Sequence, residues 1–174
     1  ADMFHADAQV AKISGPYSDA RSVSSTFGEG GEDGGITVPS SGDGITKLAE
    51  VAGRPCVQSA PSKWGSKYVY FELHDSFAFD LEPQTVTITI EYHDGGCRGF
   101  GLEYDSLDPK GSVRDGAFKA NRAVAIEDSD AWKTATFTVT DARFSSRCNG
   151  ADFRLAVTGP GELSVSRATV TKSG

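Results

Sequence analysis

Two groups of residues in this sequence have side chains suited to recognising a ligand. The first occupies alternating positions of strand-like segments and would share one face of a sheet. It consists of Tyr68, Tyr70, Glu72, Glu103, Asp152 and Arg154. Tyrosine rings stack on the CH faces of sugars, while arginine donates hydrogen bonds to sugar hydroxyls and carboxylates accept them. Gly99 and Gly101 would leave a trough on the same face. The group predicts a polysaccharide-binding sheet face, and the alternative is a solvated ladder of opposite charges.

The second group lies in the connections between strands. It consists of Trp64, His93, Asp94, Arg98 and Trp132. Trp64 stands in the polar segment KWGS, with no apolar neighbour in sequence to cover it. An exposed tryptophan is commonly a platform on which a ligand stacks. The loop end is therefore a second candidate binding site, and the alternative for Trp64 is a ring that caps the core from a loop.

No combination of residues in the sequence predicts catalysis. Residues 103–108, EYDSLD, come close to the E-x-D-x-x-E strand signature of jelly-roll glucanases, but Asp108 replaces the last glutamate. A polysaccharide lyase could use Tyr70 and Arg154, yet no histidine is predicted on their face. The motifs G-x-S-x-G and H-E-x-x-H do not occur. We predict a protein that is not an enzyme, with a small jelly-roll glycanase or polysaccharide lyase as the alternative.

Three acidic residues suggest a structural calcium ion. Glu32, Asp33 and Asp43 lie in the glycine-rich stretch 28–44 and could offer the oxygen ligands that Ca²⁺ prefers. The alternative is that they are solvated turn residues. His74 and His93 each precede an aspartate on separate loops, which does not predict a metal site. Beyond calcium we expect no cofactor.

The elements that must position these residues are β-strands. Apolar and polar residues alternate along residues 68–73, 86–92 and 99–105, which is the period of a strand with one buried face. Such strands need a second sheet to cover their apolar faces. Glycine, proline and aspartate separate about eight segments of this kind, so we predict an all-β antiparallel sandwich. The 174 residues fit a single domain, with weak patterning over residues 1–24.

Charge and hydropathy exclude two classes of partner. The formal net charge is −7 and the basic residues form no run, so we expect no nucleic acid partner. No apolar run approaches the roughly 20 residues of a membrane helix, so we expect no membrane partner either.

Several phrases of the sequence carry a family resemblance. They are YVYFEL, TITIEYHDGG, GFGLEYDS, DAWKTATFTVTDARF, NGADFRLAV and VSRATVTK. Over residues 45–173 they resemble the galactose-binding-like β-sandwich domains carried as carbohydrate-binding modules by secreted bacterial glycoside hydrolases and polysaccharide lyases. The resemblance implies a jelly roll and a structural role for Trp132. Such modules often hold Ca²⁺ through acids on the first and last strands, whereas the last strand here, LSVSRATVTK, has no acid.

The resemblance also implies the topology. One sheet would contain the strands 45–57, 163–170, 86–92 and 134–140 in that order, and the other 68–73, 151–157, 99–105 and 122–126. Alternate connections would then meet at one end of the sandwich, with Cys56 and Cys97 there and Cys148 at the other end. Because a disulfide needs Cα atoms within roughly 7 Å, we expect a Cys56–Cys97 disulfide.

The functional expectation is a non-catalytic module that binds a polysaccharide or oligosaccharide. The resemblance implies a secreted, extracellular protein, monomeric and tethered to a catalytic domain in a longer chain. A third alternative, from a different class, is a structural or protein-adhesion sandwich domain.

Overall fold

The structure is a computed structural model that describes residues 13–111 and 115–174. It contains eleven strands in this part of the chain. They are β1 (Ser22–Thr26), β2 (Ile36–Thr37), β3 (Ile45–Val51), β4 (Arg54–Ala60), β5 (Tyr68–Leu73), β6 (Val86–His93), β7 (Gly99–Tyr104), β8 (Lys119–Ala125), β9 (Trp132–Val139), β10 (Phe153–Thr158) and β11 (Ser164–Lys172). Within the same residues, no helix has the length and apolar character needed to cross a membrane.

The strands form two antiparallel sheets. The first has the order β3-β4-β11-β6-β9, with β1 added along β11, and the second has the order β2-β5-β10-β7-β8. Each contains one of the predicted four-strand orders, β4-β11-β6-β9 and β5-β10-β7-β8. The prediction of an all-β antiparallel sandwich is confirmed.

Aromatic side chains from both sheets meet in the core between them. The rings of Phe71 and Phe153 stack with centroids 4.8 Å apart, and Tyr92 packs edge-on to Phe100 at 4.9 Å. Phe137 of the first sheet is buried beside them, 6.5 Å from Phe100. These contacts follow from the alternation, because every second side chain of a strand points to the same face.

The predicted strand 45–57 is wrong, because it is a hairpin of two strands. β3 and β4 pair from Ile45–Ala60 to Val51–Arg54 around a turn at Ala52 and Gly53. Both turn residues have positive φ, 47° and 76°, as the two-residue turns that match strand twist require.

Two short strands, β1 and β2, are not among the predicted strands. β1 begins in the weakly patterned segment 1–24 and ends beyond it at Thr26. An inward-pointing residue of β1 is polar: the buried Ser25 accepts hydrogen bonds from Gly34 N at 2.8 Å and Ile36 N at 3.0 Å. A serine thus joins β1 to β2 where alternation predicts an apolar side chain.

Alternate connections do meet at one end of the sandwich. Lys67 Nζ donates to Gly159 O at 2.6 Å, Glu162 N donates to Gly96 O at 2.7 Å, and Glu127 N donates to Asp94 Oδ1 at 2.7 Å. These bonds join the four connections that follow β4, β6, β8 and β10.

The predicted Cys56–Cys97 disulfide is wrong. Cys56, Cys97 and Cys148 are all free and buried. Val57 packs in the core between the sheets, as does Cys97. Because neighbouring residues of a strand point to opposite faces, Cys56 points away from that core. Its thiol donates to Ala49 O and that of Cys97 to Gly99 O, so each thiol has a separate partner.

The outer faces of the two sheets differ in chemistry. On the first sheet, serine and threonine form two rows across four strands, Ser22–Thr171–Thr87–Thr138 and Ser24–Thr169–Thr89–Thr136. On the second sheet the outward rows are Tyr70–Arg154–Glu103 and Tyr68–Ala156–Gly101. The tyrosine rings that could stack on a sugar are therefore on the second sheet.

Candidate functional site

A cleft of about 660 Å³ opens at the edge of the second sheet. Three chain segments form it: the turn before β3, the loop that leads into β5 with the first residues of that strand, and the tip of the loop before β10. The lining residues are Pro39, Ser41, Gly42, Asp43, Trp64, Ser66, Tyr68, Tyr70, Asn149 and Gly150. The structure thus joins Trp64, predicted for the loop end, with Tyr68 and Tyr70, predicted for the sheet face.

Trp64 is the exposed aromatic group of this cleft. Its side chain is 66% exposed, although indole is one of the largest apolar groups a protein can carry. The turn that carries it is closed by Ser62 N donating to Ser66 O and by Gly65 N donating to Ser62 O, both at 2.9 Å. The Ser62 and Ser66 hydroxyls are also bonded to each other at 2.9 Å. The exposed ring is therefore carried by an ordered turn.

Tyr70 connects the cleft walls from below. Its hydroxyl donates to Asp43 Oδ1 at 2.7 Å and accepts from Asn149 Nδ2 at 2.9 Å and from Arg154 Nη1 at 2.7 Å. The ring is 4% exposed, and Gly44 lies against it so closely that a Cβ there would overlap the ring. Burial, and then the bond to Asp43, raise the pKa of Tyr70 to about 12. The phenol stays protonated and fixes Asp43 and Asn149 at the cleft.

Arg154 supports the cleft and is not free to bind a ligand as predicted. Its guanidinium lies 3.8 Å from the centre of the Tyr68 ring and 4.0 Å from that of Phe118. Its Nε donates to Glu103 Oε1 at 2.7 Å. Burial alone would lower the pKa of Arg154, but the bonds to Tyr70 and Glu103 outweigh it and raise the pKa. One face of Tyr68 is thus stacked on a fixed cation.

Loops cover part of the predicted sheet face. Loop residues Ala117, Phe118, Cys148 and Ala151 pack with Tyr70 in a small second core over that face. Asp152 is 1% exposed and accepts hydrogen bonds from Leu73 N at 2.9 Å and Ser146 N at 3.1 Å. Glu72 lines a different cleft, with Asp33 and His74. Alternation predicted correctly which face of the sheet these side chains share. It could not predict the loops that cover this face, because those loops are remote in sequence.

Four of the five loop-end residues lie outside the cleft lining. His93 Nε2 lies 2.7 Å from Asp130 Oδ1, and its ring packs edge-on to Trp132 at 5.7 Å. The indole of Trp132 donates to Val51 O at 3.1 Å, and this ring therefore joins β9 to the β3–β4 hairpin. Arg98 is exposed, but it does not line the cleft.

Asp94 is a buried hub for the turn before β9. Its carboxylate accepts from Glu127 N, from the Ser129 hydroxyl and from Lys133 Nζ, the last at 2.9 Å. Burial opposes ionisation, but these bonds outweigh it and hold the pKa of Asp94 well below its usual range. Asp94 therefore orders the framework and does not face a ligand.

The three acids predicted for calcium do not form one ligand group. Asp43 accepts from the Tyr70 hydroxyl, and Asp33 accepts from Gly35 N at 2.9 Å. Among residues 13–111 and 115–174, no three or more His, Cys, Asp or Glu side chains are grouped to hold a metal ion. The donor set present does not fit the predicted calcium ion.

The near-miss glycanase signature on β7 also has a structural explanation. Asp105 is buried and accepts from Arg147 Nε and from Ser145 N, both at 2.8 Å. Glu103 is bonded to Arg154. Both carboxylates therefore have fixed cationic partners, unlike the open pair that glycoside hydrolysis requires.

Sequence reasoning missed the polar walls of the cleft. Asn149 was part of the phrase NGADFRLAV and was read only as a sign of the fold, while Asp43 was considered only as a calcium ligand. Asn149 is 79 positions from Tyr70 in sequence. No local pattern could have placed these residues together.

The comparisons with known proteins agree on the fold. The sequence matches no protein-family model and no curated protein. The family 29 carbohydrate-binding module CBM29_1 from Piromyces equi has 9% identity and a TM-score of 0.52, over 86% of this chain and 91% of that one. The module CBM1 of BiXyn10A has 8% identity and a TM-score of 0.50, over 86% and 96% of the two chains. The K1 cleaved adhesin domain of Lys-gingipain from Porphyromonas gingivalis W83 has 14% identity and a TM-score of 0.50, over 88% and 99%.

At these identities the likeness shows the fold alone. The fold is a β-sandwich of the kind used by carbohydrate-binding modules, as the resemblance implied. The galactose-binding-like subtype stays a prediction.

Proposed function

We propose that the protein is a non-catalytic carbohydrate-binding module that binds a polysaccharide in the cleft at Trp64. The observation that carries the proposal is the juxtaposition of an exposed indole, on an ordered turn, with Tyr68 and with the polar groups Asp43 and Asn149 in one cleft of about 660 Å³. A sugar offers apolar CH faces and polar hydroxyls in the same unit. The cleft offers the complementary pair of surfaces.

Each part of the cleft has a role in this binding. Trp64 is the stacking platform, and Tyr68 extends the apolar surface. Asp43 accepts hydrogen bonds from sugar hydroxyls, and the exposed Asn149 and Ser41 exchange them. Tyr70 holds Asp43 and Asn149 in place, so little ordering remains to be done when the sugar binds.

The biological setting is part of the same proposal. We expect the domain to be a secreted, monomeric accessory domain tethered to a carbohydrate-active enzyme, to which it delivers the polymer. The likeness in fold to carbohydrate-binding modules supports the carbohydrate ligand, while secretion, the monomeric state and the tether are what the family resemblance implies. A second candidate is protein adhesion, which is favoured by the likeness to the adhesin domain of Lys-gingipain.

Affinity electrophoresis through gels containing single polysaccharides tests the proposal. One of the polymers should retard the wild-type protein, and Trp64→Ala should weaken the interaction by about tenfold or more, as loss of a central aromatic contact does. Leu48→Ala is the matched control, because Leu48 is 67% exposed and Trp64 66%, while Leu48 does not line the cleft. Thermal unfolding should show both variants folded.

The other functions give different results in the same experiment. Equal retardation of Trp64→Ala and the wild type would refute the cleft. Retardation by no polymer, together with binding to a protein partner, would favour adhesion. New reducing ends or unsaturated products from any polymer would identify an enzyme.

A further inference from the structure

A second cleft, of about 350 Å³, lies on the opposite side of the sandwich. It is next to the hydroxyl rows of the first sheet, at the cross-strand row that contains Thr26, Arg167 and Glu91. The lining residues are Thr26, Phe27, Glu29, Gly30, Gly31, Arg54, Pro55, Glu91, Ser166 and Arg167. None of them lines the Trp64 cleft.

The loop 27–31 forms an ordered wall of this cleft. Thr26 N donates to Glu32 O at 3.0 Å and Glu32 N donates to Thr26 Oγ1 at 2.8 Å, which closes the base of the loop. Gly28 has φ of +93° and lies so close to Pro55 and Cys56 that a side chain there would overlap their backbone. Phe27 N donates to Ser166 O at 2.9 Å. The wall is therefore built against both β4 and β11.

Two arginines in the cleft share a single carboxylate. Arg167 Nε lies 2.8 Å from Glu91 Oε2, and Arg54 Nη1 lies 3.3 Å from Glu91 Oε1. Arg54 is further positioned 5.0 Å above the ring of Trp132. Each guanidinium carries five N–H donors, and the remaining ones have no acceptor within the described part of the chain. Both oxygens of Glu91 are already occupied, so the cleft has donors in excess.

Ser166 adds a buried hydroxyl without a partner. It is 5% exposed, and its Oγ forms no hydrogen bond with any described residue. It lies in the bulge of β11 between Val165 and Arg167. Bulges re-aim side chains and are common beside functional sites, and an unpaired buried hydroxyl is costly to maintain without a ligand.

We propose that this second cleft binds an anionic group, the carboxylate or sulfate ester of an acidic sugar. Both anions have several acceptor oxygens and accept two parallel bonds from a guanidinium fork. Arg54 and Arg167 supply charge and donors, and Ser166 supplies a further donor. Glu29, exposed on the loop wall, opposes the anion and limits its affinity. The proposal does not depend on the Trp64 cleft.

NMR titration of the 174-residue protein tests the proposal with four probes. Two are acidic, a galacturonate disaccharide and glucose 6-sulfate, and two are their neutral counterparts, a galactose disaccharide and glucose. We expect at least one acidic probe to shift the backbone signals of Gly30, Gly31 and Arg167, with an affinity that falls as salt is added. The probe that binds distinguishes a carboxylate from a sulfate ester.

Three variants make the test specific. Arg167→Gln should weaken binding of the acidic probe by about tenfold, the usual effect of losing a hydrogen bond to a charged group. Glu29→Gln should strengthen it several-fold, because a like charge is removed. Arg21→Gln, an exposed arginine outside the cleft, should leave it unchanged.

Each remaining outcome overturns the proposal. Equal shifts with the neutral probes would show that the anionic group is not recognised. The absence of shifts with all four probes at millimolar concentration would show that the arginines form only a solvated ladder with Glu91. An unchanged affinity in Arg167→Gln would place the bound anion elsewhere.

Discussion

Replacing Glu72 with glutamine should remove much of a pH-dependent loss of stability from this fold. Glu72 Oε1 accepts from the Ser146 hydroxyl at 2.9 Å, but Oε2 is buried and has no hydrogen-bond partner among the described residues. The charge of Asp75 adds repulsion, whereas the side chain of Asp152 lowers the pKa of Glu72. Burial first, and the charge of Asp75 after it, raise the pKa of Glu72 from 4.5 to about 7 against the lowering effect of the bond from Ser146.

The direction of the effect follows from where the proton is bound. The folded-state pKa is above the unfolded value, so between pH 4.5 and about 7 the folded protein binds more protons than the unfolded chain. The free energy of unfolding is therefore largest at the acidic end of this window and falls as pH rises through it. The interval of 4.5 to about 7 corresponds to about 3 kcal/mol, at roughly 1.4 kcal/mol per pKa unit.

Urea unfolding at pH 5, 6, 7 and 8 measures this directly. The free energy of unfolding of the wild type should fall by up to about 3 kcal/mol from pH 5 to pH 8. Glu72→Gln should lose much less, since the glutamine keeps the bond to Ser146 and carries no charge, and it should be more stable than the wild type at pH 8. Burial and Glu72 also raise the pKa of Asp152, so a smaller slope should persist in the variant.

Glu50→Gln is the matched control, because it removes an exposed carboxylate from the β3–β4 hairpin. The free energy of unfolding of Glu50→Gln should change with pH as that of the wild type does. The reasoning fails if Glu72→Gln and the wild type have the same slope, or if the variant is the less stable of the two at pH 8.

Three further outcomes test the framework around the two clefts. Asp94→Asn should lower the free energy of unfolding, measured in urea at pH 7, by about 2 kcal/mol, the effect of losing bonds to a charged acceptor. Because the pKa of Asp94 is lowered, the difference in stability from the wild type should shrink as pH falls through that pKa. A difference that stays constant with pH would contradict this role. Gly44→Ala should lower the free energy of unfolding by about 1–3 kcal/mol, as overpacking does. It should also weaken retardation by the polysaccharide, because the added methyl displaces the Tyr70 ring. Unchanged retardation would show that Tyr70 does not order the cleft. The native protein should react slowly with a thiol reagent, because burial raises the pKa of Cys56, Cys97 and Cys148, the last to about 12. After unfolding it should show three thiols. Rapid labelling of the native protein or a missing thiol would contradict the free, buried cysteines.

Most of the strands were predictable because a strand depends on local periodicity. Alternation along residues 86–92 and 99–105 identified β6 and β7, and the family resemblance supplied both sheet orders. β1 could not be found in this way, since its inward position 25 is a serine, which bonds to Gly34 N and Ile36 N, and its pairing partner β11 is remote in sequence. Polar pairing of this kind leaves no hydrophobic pattern in the sequence.

The candidate site was predictable only in part. For Trp64 the sequence left two alternatives, an exposed ring or a ring that caps the core, and the residue is exposed. The open face around Arg154 was wrong, because Phe118 and the loop at Cys148 fold over it. The disulfide was wrong because the resemblance placed Cys56 and Cys97 at one end of the sandwich but did not show on which side of the sheet each thiol lies.

The sequence by itself determined that this chain is a sandwich of two sheets, because a strand buries one face and alternation records which side chains that face contains. The tertiary structure alone decided which of the outward side chains remain free. Tyr70, Arg154 and Asp152 have the composition of a binding surface, yet loops from distant parts of the chain bury or bond them, while Trp64 stays in solvent. Exposure depends on what covers a residue, and the residues that cover it are not its neighbours in sequence.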